Sequence, residues 1–61
     1  MFVTYYQFNE VIKDLVTLDL NATIKDRWGI IHRFTHSHGY YLVFEREVDK
    51  TMFMLKYGDK L

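Results

Sequence analysis

Residues 40–57 read YYLVFEREVDKTMFMLKY, and this stretch decides the fold that we predict for the chain. Apolar side chains occupy mainly the even positions of 40–48 and the odd positions of 51–57. Alternate residues of a strand face opposite sides of a sheet, so each half predicts a β-strand with one buried face. A two-residue turn at Asp49 and Lys50 would explain why the parity reverses between the halves. The stretch therefore predicts a β-hairpin.

A third predicted strand precedes the hairpin, over residues 28–35, where the side chains again alternate between two faces. A three-residue loop, Ser37–Gly39, would join it to the next strand, with its glycine in the left-handed conformation. This loop places Phe34 opposite Leu42, so that apolar side chains meet across the pair. The three strands are predicted to form an antiparallel meander.

The N-terminal part of the chain predicts one amphipathic helix, over about residues 5–19. Thr4 and Gln7 have the spacing of a capping box, in which each side chain accepts a hydrogen bond from the backbone of the other residue. Apolar residues then recur every three or four positions and form one face. They are Tyr5, Phe8, Val11, Ile12, Leu15 and Leu18.

Two segments carry weaker signals. Residues 1–3 are apolar and are either an edge strand or a lead-in to the helix. Residues 23–25 are compatible with a short strand, and residues 26–29 with a type I turn that has aspartate first and glycine last.

The predicted fold class is α+β, in a single domain over residues 1–61. The helix, about 5–19, packs on a three-stranded antiparallel β-meander, about 28–35, 40–48 and 51–57, in a two-layer sandwich. The sheet face toward the helix is expected to consist of apolar and aromatic side chains. They are Trp28, Ile30, Phe34, Tyr40, Leu42, Phe44, Phe53 and Leu55.

Length and charge bound the function. A chain of 61 residues is near the lower limit for folding alone, and it has no cysteine to form disulfides, so we expect it to associate with itself or with a partner. Eight basic and eight acidic residues cancel, which disfavours non-specific binding to phosphate backbones. No targeting or membrane-spanning segment is visible, so we expect a cytoplasmic protein that does not enter the membrane.

The sequence predicts no enzyme, cofactor, metal or small-molecule substrate. It has a single serine, no cysteine and no glycine-rich phosphate loop. His32, His36 and His38 are residue types that bind zinc or copper, but no cysteine or carboxylate lies nearby to complete a set of ligands. The alternative for these histidines is a polar loop whose charge changes near neutral pH.

The sheet face away from the helix is the candidate binding surface. It is more apolar than the solvated face of a small monomer, and it contains residue types that are common in interfaces. The predicted partner-binding residues are Ile31, Arg33, Tyr41, Val43, Met52, Met54 and Lys56, with Glu45 on the same face. The alternative is that residues 1–3 or 23–25 cover this face from within the chain.

The sequence therefore predicts a small non-catalytic protein–protein interaction module. We expect a regulator or inhibitor, of a kind often encoded by phages or mobile elements, that binds a partner protein through its sheet face or an edge strand. One alternative is a nucleic-acid-binding regulator that uses Arg27, Trp28, Arg33 and the His36–His38 loop. Another is a homodimeric structural protein.

Overall fold

A computed structural model describes residues 1–15 and 19–61, and these residues form three α-helices and a three-stranded antiparallel sheet. In chain order the elements are β1 (Phe2–Thr4), α1 (Tyr5–Ile12), α2 (Leu20–Trp28), β2 (Ile30–Thr35), β3 (Gly39–Phe44), α3 (Glu47–Tyr57) and a 3-10 helix (Gly58–Lys60). The strand order is β1-β3-β2, so β3 is central. The predicted α+β class with an antiparallel sheet is confirmed, whereas the number of helices and the membership of the sheet differ from the prediction.

Helix α1 begins at the predicted capping box. The Gln7 backbone N–H donates to Thr4 Oγ1 at 3.1 Å, and the Thr4 backbone N–H donates to Gln7 Oε1 at 2.9 Å. Phe8 and Val11 are buried, as the predicted apolar face requires. The helix ends at Ile12, however, so the predicted extent of 5–19 is too long, and the part of that prediction at residues 16–18 lies outside the described residues.

Helix α2 occupies the segment for which a short strand and a turn were predicted, and both of those predictions are wrong. The Asp19 carboxylate caps its N-terminus by accepting from the Ala22 backbone N–H at 3.2 Å. Gly29 ends it in the left-handed conformation, with φ of 70°. An aspartate cap followed ten residues later by a glycine is a helix signal. The turn-like local sequence before Gly29 concealed that signal.

Helix α3 replaces the predicted third strand, so the strand at 51–57 and the turn at Asp49 and Lys50 are wrong. The strand predicted at 40–48 ends at Phe44. Phe53 and Tyr57 are buried, and their separation of four residues is helical spacing. Leu55 was predicted to lie in the core but is 76% exposed, because it lies on the opposite side of the helix from them.

The sheet gains its third strand from the N-terminus. β1 pairs with β3, with Phe2 opposite Tyr41 and Val3 opposite Tyr40. This outcome agrees with the edge-strand alternative for residues 1–3.

The β2–β3 hairpin is one residue out of the predicted register. His36 N–H donates to the Gly39 carbonyl at 2.7 Å, so the loop contains only two residues, and Phe34 lies opposite Tyr41 instead of Leu42. Gly39 is a strand residue, not the predicted left-handed loop residue. A β-bulge between Ile30 and His32 then returns Ile30 to the buried face.

The core lies between the three helices and one sheet face, which we call the inner face. Its buried members are Val3, Phe8, Val11, Ile24, Trp28, Ile30, Leu42, Phe53 and Tyr57. Trp28, Phe53 and Tyr57 form an aromatic cluster in which ring centroids are 5.1–5.3 Å apart. Such edge-to-face and tilted pairs stabilise a core beyond the area that they bury.

The start of α3 is held against the end of α2. Two guanidinium nitrogens of Arg46, Nε and a terminal one, each donate to the Asp49 carboxylate at 3.0 Å. The two residues therefore form a bidentate ion pair. A Cβ on Gly29 would lie only 2.6 Å from the Asp49 carboxyl carbon. The Glu45 N–H also donates to the Gly29 carbonyl at 2.8 Å. These contacts fix where the chain leaves β3 and enters α3.

The Arg46–Asp49 ion pair should make the stability of the protein depend on pH. Hydrogen bonds from Arg46 hold the pKa of the Asp49 carboxyl below its ordinary value. Because the folded-state pKa is depressed, the stabilisation is present above about pH 4 and is lost as the pH falls through the folded-state pKa. We expect Arg46→Gln to raise the Asp49 pKa toward its ordinary value in a carbon-detected NMR titration. An unchanged pKa in this variant would show that the pair does not persist in solution.

Candidate functional site: an exposed aromatic sheet face

The sheet face away from the helices, the outer face, carries a row of three aromatic rings. Phe2 of β1, Tyr41 of β3 and Phe34 of β2 lie directly opposite one another across the three strands. Their side chains are 47%, 45% and 53% exposed, so none of the described helices covers them. Residues directly opposite each other on adjacent antiparallel strands have Cβ atoms about 4.5–5.5 Å apart, so the three side chains are neighbours on one surface.

Two histidines extend this row. The His32 ring stacks on Phe34 with centroids 5.7 Å apart, and the His36 ring meets Phe2 edge-on at 6.0 Å. The Tyr5 hydroxyl donates to the His36 carbonyl, which ties the end of β2 to the start of α1. The aromatic surface is therefore supported by the packed elements behind it.

The outer face is almost free of charge. Strand alternation assigns it Phe2, Thr4, His32, Phe34, Tyr41 and Val43. None of these residues is a lysine, arginine, aspartate or glutamate. An uncharged, aromatic and partly exposed surface of this composition resembles the centre of a protein interface, where charged residues are depleted and aromatic residues are enriched.

The structure places only two of the seven predicted partner-binding residues on this face, namely Tyr41 and Val43. Arg33 is on the inner face, where its guanidinium carbon lies 5.3 Å from the ring centroid of Phe8 and 4.9 Å from that of Tyr40. Ile31 lies in the bulge at the edge of the sheet. The other predicted residues, Met52, Met54 and Lys56, belong to α3 and not to the sheet. Whether any of the seven binds a partner stays a prediction.

The alternative of intramolecular cover does not apply to the described residues. Residues 1–3 extend the sheet at its edge, and residues 23–25 belong to α2 on the inner side. Glu45, which was placed on the outer face, follows the end of β3.

Phe2 and Phe34 were not predicted to be surface residues. Phe34 was assigned to the core because the predicted hairpin register was wrong by one residue, and a shift of one residue exchanges the two faces of a strand. The signal that would have corrected it is the short Ser37–His38 loop, since two-residue loops are the commonest hairpin connections.

Helix α3 carries a second exposed apolar surface, which we call the α3 stripe. Val48, Met52 and Leu55 follow one another at spacings of four and three residues, and each is more than half exposed. Four-and-three spacing is the pattern of a helix–helix contact. The stripe lies on the side of α3 opposite the buried Phe53 and Tyr57.

The residues of the nucleic-acid alternative do not form one surface. Trp28 is 7% exposed and belongs to the core, and Arg33 is stacked on inner-face rings. The three histidines do not converge either: within residues 1–15 and 19–61, no group of three histidine, cysteine or acidic side chains is arranged to hold a metal ion. In the same part of the chain, no helix is long and apolar enough to cross a membrane.

Together, the fold and the site define a small α+β domain with one covered and one open sheet face. Neither a family model nor a curated protein nor a solved structure matches this chain.

Proposed function

We propose that the protein is a small non-catalytic interaction module that binds a partner protein through its outer sheet face. The observation that carries the proposal is the row of Phe2, Tyr41 and Phe34, which presents three half-exposed rings on one sheet face. Contiguous exposed apolar surface on a small domain is typical of binding sites. Aromatic anchors also supply a large share of the binding energy in protein interfaces. A regulator or inhibitor would act by occupying the surface of its partner.

The charge of the outer face supports a protein partner over a nucleic acid. Sheet platforms for single strands combine stacking aromatics with a cationic groove along the phosphates. Here the aromatic row has no lysine or arginine beside it on the outer face, and the chain as a whole has zero formal net charge. Stacking on bases would therefore lack the electrostatic term that dominates nucleic-acid affinity.

Homodimerisation is a second candidate function, and the α3 stripe favours it. Two copies could pair Val48, Met52 and Leu55 in the manner of a short helix–helix contact. This contact uses a different surface from the aromatic row, so both uses can coexist in one molecule. Light scattering of the purified protein at tens of micromolar separates a monomer from a dimer.

The proposal is tested by affinity capture with matched variants. Tyr41→Glu introduces a charge at the centre of the aromatic row, and Thr51→Glu introduces the same charge at an exposed position of α3. We expect wild type and Thr51→Glu to capture the same partner from extracts of the source organism, and Tyr41→Glu to lose it. With the purified partner, an anchor of this kind is expected to contribute about 2 kcal/mol, which is roughly a thirtyfold change in dissociation constant.

Two controls complete this test. Thermal unfolding should be similar for the two variants, because both positions are exposed. Capture that disappears after nuclease treatment would identify a nucleic acid instead of a protein. Equal capture by both variants would show that the outer face is not the binding surface.

A further inference from the structure

Strand β2 forms an open edge of the sheet, because the described residues place β3 on one side of it and no strand on the other. Residues of an antiparallel strand direct their backbone groups alternately toward and away from a given neighbour. The Leu42 N–H donates to the Met1 carbonyl at 2.7 Å, so Leu42 turns away from β2. Its partner Arg33 must then turn its own N–H and carbonyl toward the open edge, and the same parity applies to Thr35.

A groove runs beside this edge, between β2 and α2. It has a volume of about 430 Å³. Helix α2 contributes Ala22, Ile24 and Lys25 to its walls, and the strand contributes residues 30–33. A groove between a helix and an exposed strand edge is a recurring arrangement for binding an extended peptide as an additional strand.

The charge of the groove selects the kind of peptide. Lys25 and Arg33 line it, and among the residues that the structure describes no aspartate or glutamate does. In the described part of the chain, neither cation takes part in an ion pair. Arg33 is held in place by stacking on the Phe8 and Tyr40 rings, so its guanidinium is positioned before a ligand arrives. A guanidinium that is already positioned can bind a carboxylate in bidentate geometry.

We propose that this groove binds an extended acidic segment of a partner protein, which adds to the sheet as a fourth strand beside β2. The bulge between Ile30 and His32 interrupts regular pairing, so the segment pairs along residues 32–35. Alternate side chains of the segment enter the groove, where carboxylates meet Lys25 and Arg33. This site uses the sheet edge and not the outer face, and the residue that the two surfaces share is His32, which lines the groove and stacks on Phe34.

The probe for this site is a displayed library of random seven-residue peptides, selected on the intact protein. We expect selected peptides to be enriched in aspartate and glutamate at alternate positions. The most enriched peptide is then synthesised and titrated into labelled protein for NMR. We expect shifts along 21–25 and 30–35, together with slower amide exchange at Arg33 and Thr35.

Two variants test the two parts of the geometry. Thr35→Pro removes an N–H that faces the open edge and is not used in the β2–β3 pairing. A strand tolerates proline at such a position, so the variant should fold but lose peptide binding. Lys25→Glu reverses one groove charge and should weaken binding about tenfold. Lys56→Glu makes the same change on α3, outside the groove, and should bind like wild type. If Thr35→Pro does not fold, the proposal is tested by the difference in peptide affinity between Lys25→Glu and Lys56→Glu.

A library that yields no peptide, or only neutral or basic peptides, would overturn the proposal. Wild-type affinity of a folded Thr35→Pro variant would overturn it as well, because strand addition needs that edge. Tyr41→Glu is the control that separates the groove from the outer face. It should leave peptide binding unchanged, so the two interactions can fail separately.

Discussion

Phe53→Ala is expected to leave the protein largely unfolded or close to its midpoint at 25 °C. The Phe53 ring is buried, and its centroid lies 5.3 Å from that of Trp28, 5.4 Å from that of Phe44 and 5.1 Å from that of Tyr57. Removing such a ring costs about 3–5 kcal/mol. A 61-residue domain has a total stability of roughly 3–9 kcal/mol, so this loss takes up most of it. Urea unfolding followed by circular dichroism measures the change.

Leu55→Ala is the matched control, on the opposite side of the same helix. Leu55 is exposed, so its truncation should change the stability by about 0.5 kcal/mol or less. This pair also distinguishes a helix from a strand at residues 51–57. In a strand, Phe53 and Leu55 would face the same side, and both substitutions would be costly. Similar large losses in both variants would therefore contradict α3.

Gly39→Ala is expected to detach β1 from the sheet. A Cβ at this position would lie inside the contact distance of the Val3 carbonyl oxygen and 2.7 Å from Thr4 Cα. Both neighbours are backbone atoms, which cannot move without displacing the strand. Overpacking of this kind costs about 1–3 kcal/mol. Hydrogen exchange should detect it as lost protection of the Leu42 amide, which donates to the carbonyl of Met1, the residue before β1.

Gly58→Ala is the control for that experiment. A Cβ at Gly58 meets no atom of the described residues within 4 Å, and its backbone is helical with φ of −57°. Alanine there should be neutral or stabilising by up to about 1 kcal/mol. If Gly39→Ala were equally harmless, the close approach of β1 to β3 would not hold in solution. Loss of β1 would also remove Phe2 from the aromatic row, so Gly39→Ala should weaken the proposed outer-face interaction.

The elements that local patterns predicted correctly are those with two independent signals. Helix α1 has both a capping box and an apolar face, and its start at Tyr5 was predicted correctly. Strand β2, predicted at 28–35, begins only at Ile30 because Trp28 ends α2, but β2 and the first part of β3 both show alternation over a run bounded by a loop. Residues 51–57 had only alternation, and a run of Met, Phe and Leu satisfies both strand and helix periods. Acidic residues in the first turn of α3 and Lys56 in its last turn were the signal that favoured a helix.

The candidate site was predicted in kind but not in membership. An open apolar sheet face was expected, and Tyr41 and Val43 do lie on it. Phe2 could not be placed there from its neighbours, because its position depends on pairing with a strand about 40 residues away. Phe34 was placed on the wrong side by a register that local alternation leaves open by one residue.

Residues 40–57 show which part of the fold is determined by local sequence and which part is not. Its first residues, through Phe44, combine alternation with β-favouring residue types, and they form the predicted strand. Its last residues are amphipathic in either form, so the choice depends on what lies beside them. The tertiary structure decides for a helix because Phe53 and Tyr57 then pack together on Trp28, a contact that a strand would not make in this way. With residues 47–57 in a helix, β1 completes the sheet, and the aromatic row of Phe2, Tyr41 and Phe34 is assembled.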